Sequence, residues 1–272
     1  MASDLVIMAV HGIGDQTANY ADDLKEKLKV ELKKRGLRRF GFHFVYYQDL
    51  LQPQQEELWQ RMDATDIRMK RLARPLALKY FGDALSYQFR SEGRDSLYRK
   101  IHERVRQTVA ESNEDLNDGG SLVILAQSFG AHIMSNYIWD LQHSQGIWER
   151  GRPRPQDRLN ALKLFMTTGC NIPLFVSALD KIQAFEKPSD DFTWLNFYDR
   201  RDPLGWPLKP LSTGFDNAYD EVVTGDVAVG TGLPVKSHLN YWKKRRMIWR
   251  MAHAAVKYTG LEEQLQKRRR RR

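Results

Sequence analysis

The sequence holds one cysteine, Cys170, among 272 residues, which excludes an internal disulfide and the disulfide-dense class of small secreted scaffolds. No run approaches 18 apolar residues, so no segment reads as a membrane-spanning helix. The opening MASDLVIMAV lacks the basic start and apolar stretch of a secretory signal, and a cytoplasmic location is the expectation. Neither H-E-x-x-H nor a paired-histidine spacing occurs, so no metal is expected, and nothing calls for a cofactor. G-x-x-x-x-G-K-[ST] is also missing, and Gly12-Ile13-Gly14 departs from G-x-G-x-x-G at Thr17, which sets nucleotide binding aside.

What is present suits one sizeable core. Hydrophobic residues make up 42% of the chain, and residues 1–258 read as a single α/β domain. The net charge of +9 falls to +3 once the six cations of 267–272 are set aside, so the basicity belongs largely to the C-terminus. Residues 259–272 are expected to be a disordered basic tail, with an anionic membrane surface as the partner it suggests. Nucleic acid is disfavoured, because no binding motif accompanies the charge.

Leu5, Val6, Ile7, Met8, Ala9 and Val10 form a continuous apolar run that ends at His11 and Gly12, the pattern of a buried strand entering a loop. A helix over 18–35 follows, with Ala21, Leu24, Leu28 and Leu32 on one face and Gly36 as C-cap, then a strand over 40–47. Residues 53–90 read as broken helix and as a candidate cap. Its Trp59, Tyr80, Phe81, Tyr87 and Phe89 would either line an apolar pocket or simply be core. A helix marked by Leu97, Ile101, Val105 and Val109 leads to a turn at 117–120, a strand at 122–126 and a helix over 131–141. Further strands are expected at 162–168 and 192–198, and a last helix over 239–258. Strands alternating with helices predict a mostly parallel sheet covered by helices on both faces, with ligands beyond the carboxyl ends of the strands.

Ser128 stands where an apolar strand run meets a helix, with Ala126 and Gly130 two residues to either side. This is the layout of a nucleophile elbow, whose sharp turn admits only small neighbours; glycine is usual at both places, so Ala126 is a mild departure. A serine hydroxyl needs a histidine to take its proton and a carboxylate to orient that imidazole. In the elbow plan the acid and then the histidine follow the serine in the chain. Of the seven histidines, His238 is the one that follows Ser128 and a strand-end aspartate on a predicted loop. Asp202 is the favoured acid and Asp199 the first alternative; Asp216, Asp220 and Asp226 lie further on. The developing oxyanion would be met by the backbone N–H of Phe129 and by one from Gly12 or Ile13.

The segments VIMAVHGIGDQ (6–16), VILAQSFGAH (123–132), FMTTGCNIPLF (165–175), NFYDRRDPLGWPL (196–208) and SHLNYW (237–242) resemble the α/β-hydrolase superfamily. More narrowly they resemble its lipase-like serine esterases, the branch that includes GPI-inositol-deacylase-like proteins. The resemblance implies an α/β-hydrolase fold with Ser128 as nucleophile, His238 as base and Asp202 as orienting acid. It also implies Phe129 and the Gly12-Ile13 loop as oxyanion hole, and hydrolysis of a carboxylic, lipid-like ester through an acyl-serine. Acyl transfer to another acceptor uses the same residues. A noncatalytic protein that binds anionic surfaces is the reading from a different class. Gln127 occupies a place often held by histidine. Trp206, Pro207 and Pro210 are candidates for a lipid-facing rim.

Overall fold

The computed structural model describes residues 2–12, 16–51, 87, 96–211, 218–233 and 236–270. Six strands, all parallel, make one sheet: β1 (Ser3–Val10), β2 (Phe40–Val45), β3 (Leu116–Gln127), β4 (Leu162–Thr168), β5 (Thr193–Asp199) and β6 (Gly225–Val229). Their order is β2-β1-β3-β4-β5-β6. The helices, among the described residues, are α1 (Asp22–Lys34), α2 (Leu97–Glu114), α3 (Phe129–His143), α4 (Ile172–Val176), α5 (Tyr219–Val222), α6 (Lys236–Leu239), α7 (Arg245–Lys257) and α8 (Leu261–Arg270).

The apolar strand runs are continuous because both faces of the sheet are covered. In β1 and β3, Val6, Met8, Val10, Leu122, Ile124 and Ala126 belong to the core packed against α2 and α3. Their alternates Leu5, Ile7, Ala9, Val123 and Leu125 belong to the opposite core, with Leu24, Leu28 and Leu32 of α1 and Met247, Met251 and Ala255 of α7. This is the expected α/β architecture with helices on both faces. After β1 the chain crosses one face toward β2; after β3 it crosses the other toward β4. The carboxyl ends of β1 and β3 are therefore the point where the connections part, the place in such sheets where a crevice opens.

Several local expectations change. Residues 117–120 are not a turn but the start of β3, where Asn117 donates to Asp4 Oδ1 at 2.7 Å across a register shift opposite β1. β6 was not foreseen: it is a short edge strand in which glycine and aspartate come first. The expected helix over 239–258 is divided into α6 and α7 by a turn at 240–244, where Tyr241 and Trp242 both reach inward to hydrogen-bond Asp202 and Thr168. The segment expected as a disordered tail is helical over Leu261–Arg270, because Leu261 and Leu265 share one face and bury it in the α1–α7 core. Of the candidate cap, only Tyr87 falls among the described residues in 53–90. It is buried, its ring edge-on to Phe129 and its hydroxyl 2.7 Å from His102 Nε2, so it is core and not the wall of an open pocket. Trp59, Tyr80, Phe81 and Phe89 lie outside the described residues. No helix among the described residues is long and apolar enough to cross a membrane.

Candidate active site

Ser128 connects β3 directly to α3, and the connection is strained: φ is 52° and ψ is −121°, a conformation that L-residues adopt only when their surroundings compel it. The compulsion is visible on both sides. The N–H of Ser128 donates to the Thr168 carbonyl of β4 at 2.9 Å, which ties the elbow to the neighbouring strand. On the other side Gly130 lies against the end of β1, where a Cβ would collide with the His11 carbonyl and come within 2.7 Å of the Val10 carbonyl oxygen. Gly12 faces the serine as closely, since a Cβ there would stand 2.8 Å from Ser128 Cβ. Ala126 needs no such clearance. It pairs with Val10 and Thr167 in the sheet, and its methyl group fits the α2–α3 core.

The elbow after β3, the loop after β5 and the short helix α6 bring the predicted residues together; His238, expected on a loop, lies in α6. His238 Nε2 lies 2.8 Å from Ser128 Oγ, and its Nδ1 lies 2.9 and 3.1 Å from the two carboxylate oxygens of Asp202. All three side chains are buried. Burial alone would push the Asp202 carboxyl up. Hydrogen bonds from His238, from the Leu204 N–H and from the Tyr241 hydroxyl outweigh it, and hold the group below the usual carboxylate range. An ionised Asp202 fixes the proton of His238 on Nδ1 and leaves Nε2 as acceptor toward the serine hydroxyl.

Asp199, the alternative acid, does not meet His238. Its Oδ2 accepts from the Thr231 N–H at 2.6 Å and its Oδ1 from the Arg201 N–H at 3.0 Å, so it closes the β5 and β6 loops on each other. Asp226 is likewise engaged elsewhere, accepting from Asn196 and from the N–H groups of Leu208 and Lys209. Asp216 lies outside the described residues.

The loop after β1 brings Gly12 to the elbow; Ile13 lies outside the described residues. Phe129 carries its N–H in the first turn of α3, where no described residue accepts it. His11 has a different part. Its Nδ1 donates to the Gly12 carbonyl at 2.7 Å, its Nε2 accepts from the Tyr47 N–H at 3.3 Å, and its ring stacks on Tyr47 at 3.9 Å. Burial lowers its pKa to about 4, so the ring is neutral and serves as a clamp on the Gly12 loop.

Two contacts were not foreseen. Gln127 donates to the His238 carbonyl oxygen at 3.0 Å, joining the residue before the serine to α6, which carries the imidazole. Tyr241 donates to Asp202 and accepts from the Asp199 N–H at 2.7 Å. The segment SHLNYW carried the only sequence signal for Tyr241, as part of a resemblance with no role assigned.

No family model matches the chain, and no curated protein matches it. Among solved structures, a cutinase-like protein from Cryptococcus sp. is similar at 10% identity and a TM-score of 0.41, over 94% of this chain and 95% of that one. A protein from Xanthomonas campestris pv. campestris assigned to the alpha/beta hydrolase superfamily is similar at 12% identity and a TM-score of 0.42, over 96% and 98%. These are likenesses of outline, and the chemistry rests on the geometry above.

Proposed function

We propose that the chain is a serine hydrolase of the α/β-hydrolase superfamily that cleaves a carboxylic ester through an acyl-serine intermediate. The observation that carries this reading is the unbroken line from Ser128 Oγ through His238 to Asp202 on a strained strand-to-helix turn. As Oγ attacks the ester carbonyl, its proton passes to His238 Nε2, and Asp202 stabilises the imidazolium that forms. The carbonyl oxygen becomes an oxyanion beside the Phe129 N–H and the Gly12-Ile13 loop. His238 then gives the proton to the leaving alcohol. In the second half it takes a proton from the water that attacks the acyl-serine and returns that proton to Ser128 Oγ as the Oγ–acyl bond breaks and the carboxylic acid leaves.

The acyl part is proposed to be apolar. Leu174, Leu179, Trp206, Leu233 and Leu239, on the segments that follow β4, β5 and β6, stand between 43% and 68% exposed. Trp206 follows Asp202 by four residues and Leu239 follows His238 directly, so two of them adjoin the proposed triad in the chain, where an apolar acyl chain would cover them. The narrower likeness to GPI-inositol-deacylase-like esterases rests on sequence segments alone.

A fluorophosphonate probe with mass mapping tests the reading. Ser128 should be labelled in the native chain, and labelling should vanish in Ser128→Ala and in His238→Ala. Asp202→Asn should lower turnover of a p-nitrophenyl ester by about 10³-fold or more. A folded native chain that neither labels nor hydrolyses short and long esters, with or without detergent, would overturn it.

A further inference from the structure

At the carboxyl ends of β5 and β6, on the face covered by α7, lies a groove of about 300 Å³ lined by Arg200, Arg201, Arg246 and Arg250. Ala228, Val229, Gly230 and Met247 complete the lining, and its one acid is Asp199. That carboxylate is already occupied by the Thr231 and Arg201 N–H groups, with Arg201 Nε 3.5 Å away. Among the described residues, no carboxylate comes within the 4.0 Å of an ion pair with Arg200, Arg246 or Arg250. Elsewhere in the fold Arg99, Arg104, Arg106 and Arg154 each meet one.

The neighbourhood adds to the imbalance. Residues 243–257 hold six lysines and arginines and no acid, and the run Lys243, Lys244, Arg245, Arg246 enters α7 at its N-terminal end, where the helix dipole already disfavours cations. Four arginines thus line one groove with a single acid among them, and three of the four meet no described carboxylate, which makes the groove a receptor for an anion. Guanidinium forks match the oxygens of phosphate, and one carboxylate could satisfy only one of the four.

We propose that this groove binds a phosphate group, whether free or on a lipid headgroup. The site is separate from the serine, and its test is a binding measurement that does not depend on ester hydrolysis. It lies one link from the triad, because the Asp199 N–H on the groove wall donates to Tyr241, which donates to Asp202.

The full chain is titrated calorimetrically with inorganic pyrophosphate, and separately sedimented with phosphatidylcholine vesicles with and without phosphatidic acid, in about 0.15 M salt so that loose surface attraction is screened. A triple variant, Arg200→Gln with Arg246→Gln and Arg250→Gln, is run beside it, with thermal melting to show that these surface changes leave the fold intact. Pyrophosphate binding weakened at least about tenfold in the variant supports a soluble source. Binding confined to phosphatidic acid vesicles, and lost in the variant, supports the lipid source. No binding in either arm, or binding the variant keeps, overturns the proposal; in the second case the cations of 267–272 would be responsible.

Discussion

Tyr241 donates its phenolic hydrogen to Asp202 Oδ2 at 2.8 Å, on the same oxygen that faces His238 Nδ1 at 2.9 Å. The phenol therefore helps keep the carboxylate ionised and turned toward the imidazole. Tyr241→Phe removes a hydrogen bond to a charged group, worth about 1.5–3 kcal/mol, and kcat should fall by about tenfold or more with KM little changed. Steady-state kinetics on a p-nitrophenyl ester checks this; a larger change in KM than in kcat would point to a role in binding instead.

The neutral His11 gives stability a distinct pH dependence. Its folded pKa is about 4, against about 6.5 when unfolded, so between those values the unfolded chain takes up a proton that the folded chain refuses. Stability should fall as pH drops through this window, by about 3 kcal/mol across it. Urea unfolding at several pH values should show that slope, and His11→Asn should lose one proton's worth of it. Asp202 acts lower: its pKa is depressed, so the stability it contributes is present above the usual aspartate range and lost only as pH falls below it.

Gly130 is a position where a single methyl group should be decisive. Its Cβ would meet the backbone carbonyls of Val10, the last residue of β1, and of His11, neither of which can swing away. Gly130→Ala should destabilise the fold by about 3 kcal/mol in urea titrations, and fluorophosphonate labelling of Ser128 should be lost with it.

Cys170 is fully buried at the end of β4, and burial pushes its thiol up to about 12. It should stay silent toward a thiol reagent in the native chain and react once the chain is unfolded in guanidinium. Fast reaction in the folded state would show that the loop after β4 opens.

The elbow was legible because it is local: an apolar strand run, a serine, and small residues at the two positions where backbones touch. Asp202 and His238 could be picked out because chain order and strand ends narrow the choice. The roles of Gln127, Tyr241 and His11 were not legible, since a glutamine, tyrosine or histidine looks the same in a sequence whatever partner its hydrogen bond finds. β6 escaped because Gly225 and Asp226 carry no strand signal, and Asp226 is there for its carboxylate, which accepts from Asn196, Leu208 and Lys209. The arginine groove joins residues about 45 positions apart, which no spacing rule connects.

The bond from Gln127 to the His238 carbonyl bears on motion as much as on position. Residues 127 and 128 both hold His238, one at its backbone and one at its ring, so the imidazole is tied to the end of β3 at two points. Ordering that is complete on folding need not be repeated when a ligand arrives.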